Sequence, residues 1–530
     1  MAGFSLNSPE VDRLSTLLDE STRASAESVG RFVEPAPGTL NKALAKQHQM
    51  IFGRRGSGKS TLLRKAIAEF NLERQPSAYV DLESFKGHSY PDVLISVLIE
   101  TFRELQSWLD EAAVAPANRA AIWQKWFSRP RRRPLSRPGA AELSHQVAQV
   151  LAELNDLLHA QDHAELERRR TEGQHQTSDA HLDAGIRHGP VGLSGGFRSS
   201  DATDQSEELL ERMRRSKSDF LHRKILDYQA LLGRISALSD KDGLLILDDL
   251  YHIRRRDQPL VLDYFHRLTK GHRMWLKVGT IRHRSTWYRH GDPPIGMKLG
   301  DDAGEINLDV TLEKYSLAKT FLVQILANLV DEAGIGKVSD LLTEGAIERL
   351  VLASGGVARD FLTILNRSIF IARERGTSFR GDRIGAEDVN QAAGEHEGTK
   401  REELIRDTLE EESELQSEFR AIRDFCLDQQ NVNCFLVLKD SPRRGYTNVQ
   451  ELVDLRLLHL VDSRVTVFNR QGKLYEAYLL DLSQYTGERK KRNLEIIEFW
   501  KRGTADKLRR AKLIYEPTDN QPVSQQQLSL

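Results

Sequence analysis

An α/β fold with a parallel sheet at its centre is what this sequence predicts, and three observations predict it. The run Gly53-Arg54-Arg55-Gly56-Ser57-Gly58-Lys59-Ser60-Thr61 fits the spacing G-x-x-x-x-G-K-[ST]. Apolar Met50-Ile51-Phe52 precedes it and helix-patterned Leu62-Leu63-Arg64-Lys65-Ala66-Ile67 follows it, the strand, loop and helix context that the pattern requires. Downstream, Leu244-Leu245-Ile246-Leu247 reads as a strand buried on both faces and ends in Asp248-Asp249. Further apolar runs alternate with helical spacings, the signature of parallel strands joined by crossovers.

The loop fixes a ligand chemistry. Glycines let backbone N–H groups curl inward, and the following helix aims its positive end at the same point. Residues Gly53, Arg54, Arg55, Gly56, Ser57, Gly58, Lys59, Ser60 and Thr61 are therefore expected to cradle a nucleoside triphosphate. Lys59 would reach the β- and γ-phosphates, and Ser60 would ligate Mg²⁺.

The acidic strand completes the expectation. Carboxylates at the C-terminal end of such a strand sit where open α/β sheets bind ligands. Asp248 would hold Mg²⁺ through water, and Asp249 would orient or deprotonate an attacking water. Other strands are expected at Ala78-Leu82, Met274-Thr280 and Glu305-Leu308, with helices around Leu260-Leu268 and from Leu312. Thr280 would end its strand beside the acidic one.

Bulk properties exclude several classes. With 530 residues the chain should hold two to four domains. A net charge of −1 leaves no global field to draw it onto nucleic acid or membrane, so such binding must come from local patches. The two cysteines, Cys426 and Cys434, make no disulfide framework and lack metal-site spacing. Apolar runs are too short to span a bilayer. No basic segment followed by an apolar stretch opens the sequence, so no secretory signal is expected and cytoplasm is the predicted location.

The order of phosphate loop, acidic strand, polar strand tip and Ser354-Gly355-Gly356-Val357-Ala358-Arg359-Asp360 resembles the AAA+ P-loop ATPases, within them the origin-recognition-complex-type branch and the related STAND switch ATPases. The resemblance spans Arg31 to Ala393, interrupted by an insertion. It implies a sensor 1 role for Thr280, a sensor 2 role for Arg359 and a position near the adenine for Phe32 and Val33. It also implies an arginine acting on a neighbouring subunit's γ-phosphate, for which Arg284 and Arg289 are the candidates beside Arg282, and so a homo-oligomer. Where many members carry Glu after the Mg²⁺-binding Asp, this chain carries Asp249. A carboxylate one methylene shorter holds water less well, so slow hydrolysis is expected.

Seven further boundaries follow. Residues 1–30 read as an N-terminal extension, 31–109 as the first part of the core and 241–336 as its second part. Between them, 110–240 reads as a helical insertion: Leu143, Val147, Val150, Leu151, Leu154 and Leu158 recur at helical spacing, as do Leu209, Met213, Phe220, Ile225, Leu232 and Ile235. Its tip, 173–206, is poor in large apolar residues and is expected to be mobile. It holds His175, His181 and His188, whose spacing is no zinc pattern. The hairpin either packs on the core or docks a protein partner. Arg129-Pro130-Arg131-Arg132-Arg133-Pro134, near Trp123, Trp126 and Phe127, would touch nucleic acid or acidic protein.

Residues 337–395 read as a helical lid and 396–416 as a charged linker. Residues 417–486 look like a winged-helix domain: a helix from Glu418, a strand at Cys434-Leu438, a helix from Asn448 to Val461 capped by Thr447 or Asn448, then strands Val465-Phe468 and Lys473-Tyr478 around Asn469-Arg470-Gln471-Gly472. On the helix, Gln450, Arg456 and His459 would face DNA, Glu451 and Asp454 would repel it, and Arg443, Arg444, Arg464, Arg470 and Lys473 favour it. Residues 487–530 read as a basic amphipathic helix (Arg489-Lys490-Lys491-Arg492, then Lys501, Arg502, Lys507, Arg509, Arg510 and Lys512) and a Gln-rich tail.

The expected function is an ATP- and Mg²⁺-binding, slowly hydrolysing AAA+ ATPase that acts as a nucleotide-dependent switch or assembly factor, with DNA as partner through the winged helix and basic tail. The other reading is a STAND-like scaffold that binds proteins without nucleic acid.

Overall fold

The structure is a computed structural model that describes residues 5–23, 29–72, 75–113, 137–179, 199–376, 382–407, 412–441, 444–468, 470, 472–486, 493–501 and 503–517. For 160–179 and 199–214 only the backbone is described. Arg129–Pro134, Trp123, Trp126, Phe127, His181, His188, Arg443, Arg489–Arg492, Arg502 and the Gln-rich tail lie outside the described residues, as does the middle of the expected mobile tip.

Five parallel strands make the central sheet in the order β2-β3-β4-β1-β7: β1 (Gln49–Phe52), β2 (Ser77–Asp81), β3 (Gly243–Asp248), β4 (Met274–Thr280) and β7 (Gly304–Asn307). Every residue of β1 and β3 is buried, as strands covered by helices on both faces must be. The α/β parallel-sheet architecture expected from the sequence is thus the observed one. A short hairpin of β5 (Tyr288–Arg289) and β6 (Ile295–Gly296) interrupts the path from β4 to β7.

The helices of the first half are α1 (Pro9–Ser21), α2 (Thr39–Ala43), α3 (Lys59–Leu72), α4 (Asp92–Ala113), α5 (Arg137–Asp179), α6 (Ser199–Ser239) and α7 (Gln258–Thr269). Helices α5 and α6 form the inserted hairpin, and its stem is part of the core. Leu143, Val147 and Leu154 meet Leu221, Ile225, Leu232 and Ile235 in one apolar cluster with Phe102 of α4 and Leu245 of β3. Buried Lys217 ties the hairpin to the start of α4 through Asp92 at 2.8 Å and to the Leu158 carbonyl at 3.1 Å. The two helices also continue into the expected tip, to Asp179 and from Ser199.

A second core lies beyond β7. It joins α8 (Tyr315–Ala333), α9 (Val338–Leu341), α10 (Glu344–Ser354), α11 (Ala358–Glu374) and α12 (Ala386–Asp407) to the C-terminal elements. Val11, Leu14 and Leu18 of α1 are buried in it. The expected N-terminal extension is therefore a structural member of this second core, because its i, i+3, i+7 stripe needs an apolar partner. Helix α12 carries the first part of the expected 396–416 linker, which reads as helical from its sequence too. It runs unbroken from the lid to Asp407, and Lys400 on it is buried.

The C-terminal unit comprises α13 (Glu412–Asp424), β8 (Cys434–Leu438), α14 (Arg444–Asp454), β9 (Leu458–Val465) and β10 (Tyr475–Leu480), with an antiparallel sheet ordered β8-β10-β9. Helix α14 starts earlier and stops sooner than expected, so Thr447 and Asn448 lie inside it and cap nothing. Arg456 adopts φ +65°, which turns the chain. Leu458 to Leu460 then pair with β10 instead of continuing a helix. An apolar run of this length carries no periodicity that separates helix from strand.

The expected basic tail helix is also corrected. Residues 493–501 and 503–517 contain the 3₁₀ turns Ala505–Arg509 and Ala511–Leu513, with no α-helix among the described residues. Ile497, Leu508 and Leu513 are buried, and the Tyr515 amide donates to the Leu436 carbonyl at 2.8 Å. The strap holds its shape by apolar burial on β8, and its cations are in part spent locally: Arg510 and Lys512 both pair with Glu495. Among the described residues no helix is long and apolar enough to cross a membrane.

Candidate functional site: a triphosphate cradle under a helical lid

The phosphate loop folds as its glycines require. Gly56 and Gly58 sit at φ +83° and +93°, a region side chains rarely enter. Gly53 is needed for space, since a Cβ there would stand 2.3 Å from Ser57 Oγ. Helix α3 begins at Lys59, so its unpaired N–H groups face the loop. The Lys59 ammonium, 5% exposed, donates to the carbonyls of Gly53 (2.8 Å) and Arg54 (3.3 Å) and lies 4.0 Å from Asp249 Oδ1.

Loop, lid and N-terminal segment enclose a cavity of about 200 Å³. Of the residues expected from the sequence, Phe32, Val33, Arg55, Gly56, Ser57, Gly58, Lys59, Ser60, Thr61, Asp249 and Arg359 line it. Phe321 and Leu329 of α8 and Leu362 of α11 add apolar lining suited to a base. Sequence reasoning missed Thr22, Arg23, Glu83 and Tyr251, which also line it. Tyr251 follows the acid pair closely, and its ring stands 6.0 Å from the Lys59 ammonium and 5.5 Å from the Arg284 guanidinium.

Arg54 is a correction. Its side chain turns away from the cavity, 3% exposed, and donates to Asp309 Oδ1 (3.2 Å), the Val310 carbonyl (3.1 Å) and the Gly355 carbonyl (3.0 Å). Three acceptors converging behind the loop take the guanidinium fork, so Arg54 braces the loop against the lid. Arg359 meets the loop from the other side. Its amide donates to the Gly56 carbonyl at 3.3 Å and its Nε to the Thr22 carbonyl at 3.1 Å.

Asp248 is 1% exposed at the end of β3. Its Oδ1 accepts from the Asp249 amide at 2.9 Å and its Oδ2 from the Tyr79 hydroxyl at 2.6 Å. Gly279 makes room for this carboxylate, because a Cβ there would lie 2.3 Å from Oδ1. Asp249 adopts φ +57° and ψ +48°, a left-handed turn that acids tolerate. Burial first, then the charge of Asp248, pushes Asp249 up to about 7, against the pull of Lys59.

The remaining candidates sit nearby. Thr280 ends β4 between β3 and β1, fully buried, and its hydroxyl is hydrogen-bonded to Ser285, outside the cavity lining. Arg282 stacks on Phe52 at 4.0 Å and pairs with Glu305. Arg284 is half-buried against its own chain's Tyr251, whereas Arg289 is exposed and donates to the Arg256 carbonyl at 3.2 Å.

The helix expected to read DNA is turned inward. Glu451 pairs with Arg255 at 3.1 Å, and Asp454 accepts from the His283 amide at 3.1 Å. Gln450 donates to Glu476 and Tyr478. Arg456 pairs with Asp360, and His459 with Asp481 at 2.8 Å. Lys400 joins this buried cluster, 2.7 Å from Asp481 and 3.8 Å from Asp360. Burial pushes the Asp360 carboxyl up, yet Arg456, then His396 and Lys400, hold it well below the usual carboxylate range.

A triphosphate fits this site on the structure's own terms. Ser57 Oγ is buried with no hydrogen-bond partner among the described residues, and the first turn of α3 beside it has no intrahelical acceptors for its N–H groups. Ser60 lines the cavity and Asp248 lies outside its lining; both are hard oxygen donors of the kind Mg²⁺ takes, and Asp248 would act on the ion through water. No family model and no curated protein sequence matches the chain. Among solved structures, it is similar to the Aeropyrum pernix ORC1 protein in complex with DNA at 14% identity, covering 86% of this chain and 91% of that one, TM-score 0.34. It is also similar to the Thermotoga maritima RuvB K64R mutant (13%, 43% and 62%, 0.22) and to the Thermotoga maritima RuvB Holliday junction branch migration motor (12%, 42% and 70%, 0.21).

Proposed function

We propose that the chain is an AAA+-type ATPase of origin-recognition or STAND-like kind, a nucleotide-dependent switch that acts on DNA. The observation that carries it is the meeting of Lys59, Asp249 and Arg359 around one cavity closed by the lid. The loop amides and Lys59 bind the triphosphate, and Arg359, which belongs to the lid, registers its γ-phosphate. Mg²⁺, when bound with the nucleotide, neutralises phosphate charge. Asp249 orients water, and its short side chain supports slow turnover. In this reading the exposed Arg289 is the better candidate to reach a second copy.

DNA contact is assigned to the β9–β10 hairpin of the C-terminal unit, read as the wing of a winged helix. Arg464, Phe468, Arg470 and Lys473 are exposed there, Phe468 at 85%, and cations beside an aromatic suit a nucleic-acid surface. A protein-binding scaffold is the second reading, favoured by the inward turn of α14.

Calorimetry with Mg²⁺-ATP on the wild type and on Lys59→Ala tests the site. Heat in the first and none in the second is expected; no heat with wild-type protein sinks the proposal. Filter binding to duplex DNA across a salt series, with and without ATP, tests the partner. Salt-steep binding that weakens with Arg470→Ala and Lys473→Ala supports DNA, and no binding at low salt selects the scaffold.

A further inference from the structure

The metal-binding carboxylate is held from a strand the sequence offered only as structure. Tyr79 lies in the middle of β2, the edge strand beside β3. Its hydroxyl donates to Asp248 Oδ2 at 2.6 Å. The opposite oxygen, Oδ1, takes the Asp249 amide at 2.9 Å. Each carboxylate oxygen thus has one donor, and the carboxylate is locked against rotation about its last bond. The Tyr79 ring is itself clamped, with the Arg64 guanidinium 4.4 Å above its centre. Arg64 belongs to α3, the helix that also carries Lys59 and Ser60. The phosphate loop's helix and the acidic strand are therefore cross-braced through one phenol.

We infer that Tyr79 is a positioning residue for the metal site: its hydroxyl fixes Asp248 so that the lone pairs left over on the carboxylate face the ion held by Ser60 and the phosphates. This rests on the proposed role of Asp248. Donors behind a ligating carboxylate set its orientation and basicity, and their removal typically weakens metal affinity by about 10- to 100-fold. Phenylalanine would fill the same volume and keep the cation over the ring, so the hydroxyl is the only group that Tyr79→Phe removes.

Mn²⁺ is the probe, with its binding to the ATP complex followed by electron paramagnetic resonance, alongside calorimetry of ATP without metal and thermal melting. In Tyr79→Phe, Mn²⁺ affinity falls by about tenfold or more while metal-free ATP affinity and melting stay near wild type. Unchanged Mn²⁺ affinity in Tyr79→Phe, where Asp248→Asn does weaken it, overturns the inference and leaves the site reading standing. Parallel loss of metal-free ATP binding or of folding in Tyr79→Phe also overturns it, by assigning a merely structural role. Mn²⁺ affinity unchanged in Asp248→Asn removes the metal assignment itself and Tyr79 with it.

Discussion

Arg456 donates to Asp360 while the preceding residue, Arg359, gives its amide to the Gly56 carbonyl at 3.3 Å. Two neighbours on α11 thus hold the C-terminal unit with one side chain and the phosphate loop with one main-chain group. Any shift of α11 that alters the Arg359 contact also loads the buried pair behind it.

That pair is expected to behave as a desolvated ion pair. Asp360→Ala removes the carboxylate that faces the buried Arg456 guanidinium and costs about 3–5 kcal/mol of stability, whereas joint replacement of both residues by leucine recovers most of it. Urea denaturation of the single and double variants measures the difference, and a loss below about 1 kcal/mol in the single variant contradicts the burial argument.

The space beside Asp248 is equally specific. A Cβ at Gly279 would press on Asp248 Oδ1 at 2.3 Å and on Leu63 Cδ1 at 2.9 Å. Gly279→Ala is expected to weaken Mg²⁺ affinity by about tenfold or more and, because the methyl also presses on buried Leu63, to cost about 1–3 kcal/mol of stability. Mg²⁺ titration of ATP turnover reads it; a wild-type half-saturation would show that the carboxylate has slack.

Bracing of the loop by Arg54 predicts an effect on affinity from a side chain that points away from the cavity. Arg54→Ala leaves Asp309 and the carbonyls of Val310 and Gly355 short of a donor, each worth about 1–3 kcal/mol when buried. ATP affinity is expected to drop about tenfold, or ~1.4 kcal/mol, and Arg54→Lys restores little because an ammonium lacks the fork. Calorimetry checks both variants.

Docking of α14 should depend on pH. Burial, then the charge of Asp309, pushes Asp454 up from 3.8 to about 7, partly offset by the His283 amide and Arg54; Glu451, itself paired with Arg255, adds to the rise. The folded state then binds the proton more tightly than the unfolded chain. The sign is a stability cost that grows as pH rises from about 4 to 7 and is complete above 7. Asp454→Asn removes it, so the variant's advantage in melting grows over that interval and then levels off. An advantage independent of pH would contradict the assignment.

The central sheet was legible because β1 and β3 carry buried apolar runs and the loop has fixed spacing; Met274 to Thr280 matches β4 residue for residue. The polar residues of the expected 448–461 helix misled for a physical reason. Sequence shows that Glu451, Asp454, Arg456 and His459 are polar, but Arg255, His283, Asp360 and Asp481, which answer them, lie on other elements. Likewise Tyr79 looks like any β-forming aromatic until the register of β2 against β3 sets its hydroxyl on Asp248. Long-range pairing decides such positions, and local periodicity carries no trace of it.

Val11 of α1 and Leu480 of β10 belong to one oily interior, while the sheet strands face two others, one with α4 to α7 and one with α3. On heating, the molecule is thus divided between interiors and not at a chain junction. The opening helix and the C-terminal unit are expected to lose their order together, and trimming either one bares an apolar face of that shared interior.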